Sequence, residues 1–300
     1  MRLTVNYQDR LASLRKRFLT LQKEKQSLMT ILDEVELAES VYNSNAIENS
    51  TLTLKETEQI LLQMEVSRDF SLREVFEAKN LATVMQYIRT KLSDLKENTD
   101  TMLLLHEMLM TNINPAIAGR FRNTDEYVRI GSYIAADPKR VNQMIEKIVE
   151  EYSTDLSMNS IEKIAWFHLN LERIHPFVDG NGRIGRVLMN MQLLKMGFPQ
   201  IIIRNKAKKY YYQAFRKYED DGNQKPMQYV LYLALAESLH KRIAYLEGTE
   251  IIELSEFAKK SDESINTLLN RARRQTIPAF REKGVWKIGK EYIFQKRSTK

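Results

Sequence analysis

Apolar side chains recur every three or four residues along nearly the whole chain, which is the spacing of amphipathic α-helices. Thr53 before LKE and Ser71 before LRE are expected N-caps, because a hydroxyl there can accept a hydrogen bond from a free backbone N–H. The pattern shows no internal repeat and no low-complexity segment. It therefore predicts an all-α bundle, with helices over residues 8–40 (one or two), 53–65, 71–95, 100–111, 138–152, 161–174, 183–196, 206–220 and 225–246.

The last fifty residues change character. SEFAKKSDESINTLLNRARRQ predicts two short helices, with Ser255 and Ser261 as their caps, and TIPAFREKGVWKIGKEYIF predicts a short hairpin. This stretch holds twelve Lys and Arg against six Asp and Glu, so most of the net charge of +7 lies in it. With a boundary near Gly248, we predict an N-terminal helical region (1–95), a core (96–247) and a C-terminal module (250–300).

The C-terminal module resembles a winged helix-turn-helix. Residues 264–274 would be its recognition helix and 284–294 its wing. The resemblance implies that basic side chains of that helix face DNA phosphates or bases, namely Arg271, Arg273 and Arg274. The same small fold also serves protein contacts or dimer packing, so the sequence leaves DNA, a protein partner and a homodimer open.

The composition of the chain limits the class of protein and the cellular compartment that we expect. A content of 43% apolar and 28% charged residues is ordinary for a globular protein, and no apolar run approaches the ~18–20 residues of a membrane span. The first residues lack the apolar core of a signal peptide. The chain has no cysteine, which excludes disulfides and zinc–thiolate sites. We therefore expect a cytoplasmic protein with no membrane partner, in a reducing compartment that also holds ATP.

The segment HPFVDGNGRIGR, residues 175–186, carries the densest chemistry of the chain. Pro176 ends the preceding helix, and Gly180 and Gly182 lead into the next one. Free N–H groups and the dipole at a helix start favour an anion, and glycine lets the backbone approach a phosphate closely. The segment therefore predicts a phosphate-binding loop, and a plain structural loop is the alternative.

Three kinds of side chain in this loop suit a metal-bound polyphosphate. Asp179 could hold Mg²⁺, which takes a carboxylate together with phosphate oxygens. His175 could take a proton at neutral pH. Arg183 and Arg186 are three residues apart and therefore project from one face of the helix.

These residues match the Fic-family signature, H-P-F-x-[DE]-G-N-[GK]-R-x-x-R, at every fixed position. The family is all-helical and mostly transfers AMP from ATP to a hydroxyl on a protein side chain. The resemblance implies that His175 is the base and Asp179 the Mg²⁺ ligand. It also implies that Asn181 and the loop amides form an anion nest, with Arg183 and Arg186 as clamps on the β- and γ-phosphates.

An upstream segment adds a second resemblance. Ser44, Glu48 and Asn49 stand in the order S-x-x-x-E-N, at the end of a helix over about 37–49. This order resembles the inhibitory motif of Fic proteins whose inhibitory helix precedes the core. The resemblance implies that Glu48 pairs with Arg186 and takes the space that the γ-phosphate needs. The alternative is a helix-surface glutamate followed by an asparagine C-cap and a turn.

The stretch FRNTDEYVRIGSYIAADPKRV predicts a short hairpin at Val128, Arg129, Ile130 and Gly131. Its position resembles the Fic flap, a hairpin that pairs with the target protein as an added strand. The family often has paired prolines after the flap, whereas this chain has IAADP. The alternative is an ordinary surface hairpin.

A last resemblance lies in NKAKKYYYQAFRKYED, which is similar to the family segment R-x-x-Y-Y-x-A-L near the adenine. Tyr211 and Tyr212 take the place of the tyrosine pair. Lys208 replaces the arginine and Phe215 replaces the leucine. The alternative is an amphipathic helix with core tyrosines.

Two functions of different classes follow. The first is a self-inhibited protein adenylyltransferase that moves AMP from ATP to a Ser, Thr or Tyr hydroxyl of target proteins and of itself. Within this class, the same site could also remove AMP if Glu48 orients a water. The second is a DNA-binding regulator whose Fic-like core senses a nucleotide. The intact His175 favours the first, because a sensor needs no base.

Overall fold

The computed structural model describes residues 6–63, 71–131, 133–261 and 263–293, and these are mainly helical. The long predicted segment 8–40 is two helices, and the segment predicted over 53–65 is a short helix continued by a π-helical turn, Gln59–Gln63. The helices are α1 (Asn6–Gln22), α2 (Gln26–Ile47), α3 (Leu54–Glu58), α4 (Leu72–Thr90), α5 (Thr99–Met110), α6 (Val141–Thr154), α7 (Ser160–Ile174), α8 (Asn181–Lys195), α9 (Lys208–Asp221), α10 (Lys225–Leu246), α11 (Leu254–Lys260) and α12 (Ile265–Arg273).

Two small antiparallel sheets accompany the helices. The first is a hairpin of β1 (Arg129–Ile130) and β2 (Tyr133–Ile134). The second has the order β3-β5-β4, from β3 (Ile251–Glu253), β4 (Phe280–Glu282) and β5 (Val285–Gly289). The predicted helical bundle with a small hairpin is confirmed. In the part of the chain that the structure describes, no helix is both long and apolar enough to cross a membrane.

The chain divides into two compact units. One is Glu34–Tyr232, and the other combines Met1–Asp33 with Leu233–Lys300. These limits differ from the predicted regions 1–95, 96–247 and 250–300. Both divisions fall inside continuous helices, where the sequence has no turn residue to mark a boundary.

The unit Glu34–Tyr232 is built around α8. This helix lies against α4, α5 and α7, and it is buried along almost its whole length. Its buried residues include Asn181, Arg183 and Arg186, whose polar groups need partners because an unpaired buried charge is costly. The partners that the fold supplies define the candidate site.

The helix ends follow from their caps. Thr53 forms a capping box with Glu56, and Ser71 accepts from the N–H of Glu74, so both predicted N-caps are confirmed. The fourth helix ends at Thr90 although the prediction ran to residue 95, because the chain turns there while Leu95 still packs in the core. Helix α8 begins at Asn181, two residues before the prediction, because Gly180 makes the turn in the left-handed region.

The C-terminal module has its own apolar core, which includes Phe257, Leu268 and Ile288. The predicted order of two short helices and a hairpin is present. The predicted N-caps of its two helices, Ser255 and Ser261, were wrong. Ser264 caps α12, and α11 begins without a side-chain cap. The role of the module as a winged helix remains a prediction.

Candidate active site

The loop between α7 and α8 begins with a strained residue. His175 caps α7 with a left-handed backbone, φ 53° and ψ 64°, and its N–H donates to the Leu171 carbonyl at 2.9 Å. A left-handed conformation costs a non-glycine residue roughly 1–2 kcal/mol. Such strain persists only where the surroundings hold it, and it is common at functional sites.

Asn181 holds the far end of the loop. Its side chain donates to the Phe177 carbonyl and accepts from the Phe177 N–H, both at 2.9 Å. The amide group is therefore engaged within the loop. What Asn181 can offer to an anion, as the sequence predicts, is its backbone N–H at the start of α8.

His106 braces the loop from α5. Its Nδ1 accepts from the Gly119 N–H at 3.2 Å, so its Nε2 can donate to the Asp179 carbonyl at 3.0 Å. The ring also stacks on Phe177, with centroids 3.8 Å apart. Burial lowers the pKa of His106 to about 4, so the ring is neutral at pH 7. This histidine is packed in the core and supports the loop.

Arg122 ties the loop to the hairpin. This buried guanidinium donates to the backbone carbonyls of His175 and Glu126, each at 2.8 Å, and to that of Ala136 at 2.7 Å. Its backbone N–H donates to the Pro176 carbonyl at 2.9 Å. The strained backbone of His175 and the base of the hairpin are therefore held by one side chain.

Glu48 and Arg186 are in contact, as the inhibitory motif implied. Arg186 Nη2 donates to Glu48 Oε1 at 2.8 Å, and its other bonds go to the hydroxyl and the carbonyl of Ser44, each at 2.9 Å. Burial alone would lower the pKa of Arg186, but the Glu48 carboxylate raises it above its usual value. The Arg186 guanidinium is therefore charged at neutral pH.

Glu48 also covers the start of α8. A Cβ built on Gly182 would lie 2.2 Å from Glu48 Oε1, so only glycine leaves room for the carboxylate there. Asn49 ends the helical segment with a left-handed backbone, φ 70°, and accepts from Lys208 Nζ at 2.7 Å. The carboxylate thus sits where the sequence predicts an anion, and Asn49 acts as the C-cap.

Asp179 belongs to a ring of four charges. Its carboxylate pairs with Arg73 of α4 and with Arg183 at 3.2 Å. Glu77 closes the ring through Arg73 at 3.0 Å and Arg183 at 3.1 Å. Burial would raise the pKa of Asp179, but Arg183 and the other partners lower it below its usual value. Asp179 is therefore ionised.

The donor set fits Mg²⁺ that is shared with a polyphosphate. Among the described residues, no cluster of three or more acidic, His or Cys side chains could hold a metal alone. A single carboxylate with phosphate oxygens is a usual Mg²⁺ arrangement, and Asp179 supplies that carboxylate. Arg183 Nε and Arg186 Nη1 are buried and lack a hydrogen-bond partner in the described part of the chain. These donors are suited to phosphate oxygens.

The two tyrosines of the predicted pair, Tyr211 and Tyr212, differ in burial. Tyr211 is 1% exposed, and its hydroxyl lies 2.7 Å from His168 Nε2, which agrees with the alternative of a core tyrosine. Tyr212 is half-buried and donates to the Ile47 carbonyl at 3.4 Å. Contact with an adenine remains a prediction, and Tyr212 is the more accessible of the two.

The predicted hairpin is present at the expected place. Arg129 pairs with Ile134 and Ile130 with Tyr133, while Gly131 turns with φ 57°. Val128 lies just before the first strand, and its carbonyl accepts from the Ala135 N–H at 2.9 Å. Its role as a flap that binds a target strand remains a prediction.

The imidazole of His175 is largely buried and lies beside Glu172. Nδ1 lies 3.3 Å from the Glu172 carbonyl and 3.8 Å from Glu172 Oε2. A proton on Nδ1 would point toward these oxygens, which leaves Nε2 as the nitrogen that can take a proton. Burial lowers the pKa of His175 to about 4, so the ring is neutral and can act as a base at pH 7.

The comparisons with known proteins agree with this geometry. Residues 96–193 match the Fic/DOC family. Protein adenylyltransferase fic-1 of Caenorhabditis elegans is 32% identical over 177 residues, which are 57% of this chain and 34% of that protein. Protein adenylyltransferase Fic of Drosophila willistoni is 31% identical over 225 residues, which are 70% of this chain and 44% of that protein. The chain thus spans less than half the length of these relatives.

Solved structures show the same fold. A Fic-domain-containing signaling protein of Bacteroides thetaiotaomicron superposes with a TM-score of 0.71 at 24% identity, over 79% of this chain and 97% of that one. Fic-1 of Caenorhabditis elegans, residues 134–508, superposes with a TM-score of 0.69 at 25% identity, over 82% of this chain and 74% of that one.

Proposed function

We propose that this chain, whose residues 96–193 match the Fic/DOC family, is a protein adenylyltransferase of that family. It would move AMP from ATP to a Ser, Thr or Tyr hydroxyl of target proteins and of itself. One observation carries the proposal: a neutral His175 lies in the loop that leads to a helix start, where two buried arginines have unused donors. The names of the relatives support the same activity.

Each group in the loop would have one task. The N–H groups at the start of α8, with Arg183 and Arg186, would hold the polyphosphate. His175 Nε2 would take the proton of the acceptor hydroxyl while the oxygen bonds the α-phosphorus and pyrophosphate leaves. Mg²⁺, when bound at Asp179, would neutralise part of the phosphate charge.

The resting protein would be self-inhibited. Glu48 holds the Arg186 guanidinium and covers Gly182, which are the groups that a terminal phosphate would need. ATP could then bind only with its terminal phosphate displaced, and the α-phosphate would be misaligned for in-line attack. A misplacement of about 1 Å can reduce a rate on the order of 10²-fold.

The setting would be the cytoplasm. A chain of 300 residues without cysteine depends on no oxidising compartment, and the proposed reaction needs ATP. The target would bind along the β1–β2 hairpin by strand addition, as the position of the hairpin in the sequence indicates.

The proposal is tested by supplying α-labelled ATP and Mg²⁺ with a cell lysate to wild type, Glu48→Gly and Glu48→Gly/His175→Ala. We expect labelled protein bands with Glu48→Gly and none with the double variant. A lysate labelled beforehand and then incubated with wild type reports AMP removal. Absence of label with Glu48→Gly, in a protein that binds ATP, would contradict the proposed activity.

A further inference from the structure

Glu172 has a largely buried carboxyl group and is not part of the signature. It lies in the last turn of α7, and its Oε2 is 3.8 Å from His175 Nδ1. Its Oε1 is buried and has no hydrogen-bond partner among the described residues. A Cβ built on Gly185 would lie 2.7 Å from this oxygen, so α8 leaves room for the carboxyl group only because glycine stands there.

Charged and titratable groups just after α2, in α8 and α9, and in the hairpin lie around Glu172. Glu48 raises the pKa of Arg186, and Arg186 in turn lowers that of Glu172, so one guanidinium lies near both carboxyl groups. Burial first, and Glu48 second, raise the pKa of Glu172 to about 8, and Arg186 opposes this rise. The groups that act on Glu172 or on Arg186 beside it are Glu48, Arg186, His168, His175, Tyr133 of the hairpin, and Tyr211 and Tyr212 of α9.

We propose that Glu172 is a positioning residue for His175, and that its carboxylate orients the imidazole and stabilises the imidazolium once Glu48 has left Arg186. The inference rests on the proposed transfer reaction, in which His175 takes a proton. The 3.8 Å approach to Nδ1 places a negative charge on the side of the ring opposite Nε2, the nitrogen that would accept the proton.

The charge of Glu172 depends on Glu48. While Glu48 is in place, Glu172 is mostly protonated at pH 7 and adds no negative charge beside the ring. Burial then lowers the pKa of His175 to about 4, which makes the imidazole a weak base. Removal of Glu48 takes away a negative neighbour and leaves the positive Arg186, so the pKa of Glu172 falls. A carboxylate within ~4–6 Å raises the pKa of an imidazole by about 1–3 units. Glu48 itself raises the pKa of His175, and its loss opposes this rise, but Glu172 Oε2 lies 3.8 Å from Nδ1 and its charge would have the larger effect. Glu48 would thus suppress the reaction at the base as well as at the phosphate.

The test compares Glu172→Gln and Glu172→Asp in the active Glu48→Gly background. We expect Gln to lower kcat about tenfold with little change in the KM for ATP. The acidic limb of kcat/KM, which reports the free enzyme, should move down by about one pH unit or more. Asp should recover part of both effects, because it restores the charge. An acidic limb that stays in place in Glu172→Gln would overturn the positioning role.

A second measurement needs no change at Glu172. NMR titration of the His175 ring in wild type and in Glu48→Gly should show a higher pKa in the variant. Equal values would overturn the coupling, even if Glu172→Gln fails to fold. If Glu48→Gly transfers no AMP but the pKa of His175 still rises, the proposed function fails while the Glu172 coupling stands.

Discussion

Arg186 Nη2 donates to Glu48 Oε1 at 2.8 Å, although the two residues are 138 positions apart. The side chain of Arg186 is 6% exposed and that of Glu48 is 35% exposed, so Glu48 is the more accessible of the two. Removing Glu48 should therefore disturb little else in the core.

Glu48→Gly should raise self-labelling by about 10²-fold over wild type at saturating ATP and Mg²⁺, because Arg186 becomes free for the terminal phosphate. Arg186→Ala is the matched control, since it breaks the same pair and also removes the clamp. It should not give the gain. If Glu48→Gly labels no faster than wild type, the segment 44–49 is simply a capped helix end.

His175→Ala in the Glu48→Gly background should abolish transfer while ATP still binds with nearly unchanged affinity. The phosphate contacts would come from α8 and its arginines, which this substitution leaves in place. Binding is measured by calorimetry and transfer by label incorporation. Full transfer in the variant would contradict the role of His175 as the base.

Arg73→Ala should lower the Mg²⁺ concentration needed for half-maximal labelling by about two- to fivefold, because the metal no longer displaces an ion pair at Asp179. The effect is modest because the Arg73 side chain is 56% exposed, and such pairs contribute about 0–1 kcal/mol. Arg17→Ala is the matched control, since that arginine is 58% exposed in its own ion pair with Glu247. If Arg73→Ala needs the same Mg²⁺ concentration for half-maximal labelling as the parent protein, Arg73 does not compete with the metal.

The free energy of unfolding should fall as pH drops from about 6.5 to 5. All four histidines have their pKa lowered by burial to about 3–4, so the folded chain keeps them neutral where the unfolded chain protonates them. Glu172 acts in the opposite sense, because its raised pKa of about 8 makes the unfolded chain release a proton. The net uptake on unfolding grows from about one proton at pH 6.5 to about three at pH 5, so the loss rises from roughly 1 to roughly 4 kcal/mol per pH unit. A melting temperature that stays constant over this range would contradict the burial of these groups.

If the C-terminal module binds DNA, its affinity should fall steeply with salt. Arg273 and Arg274 are exposed at the end of α12, and their double replacement by Ala should reduce the slope of log affinity against log salt by about two. Lys147→Ala, which removes an exposed charge elsewhere, should leave the slope unchanged. No mobility shift with any duplex at low salt would favour a protein-contact role.

The sequence predicted the parts of the site that are local in the chain. The loop from His175 to Arg186 could be placed because proline and glycine residues mark its ends and the helical pattern stops and resumes around it. The contact of Glu48 with Arg186 is long-range, and it could be predicted only through a family motif.

The remaining parts of the site are long-range contacts with no local signal. Arg73 and Glu77 follow the polar spacing of an ordinary surface helix, and their partners at Asp179 and Arg183 lie about a hundred positions away. Glu172 occupies a polar position in the pattern of its helix, and the sequence does not show that Gly185 of α8 packs against its carboxyl group. Its place one helical turn before His175 was the one available hint.

Glu48 belongs to the same chain as the site that it covers, and this affects how ATP can compete with it. A competitor joined to its site through the chain acts at an effective concentration on the order of millimolar or above, so ordinary changes in ATP level would displace it little. Hydrogen bonds hold the segment that follows Glu48. Lys208 donates to Asn49, and Glu74 accepts from Ser50 and Thr51. The rate of the proposed AMP transfer would therefore depend on whatever breaks these contacts. It would respond little to the concentration of ATP.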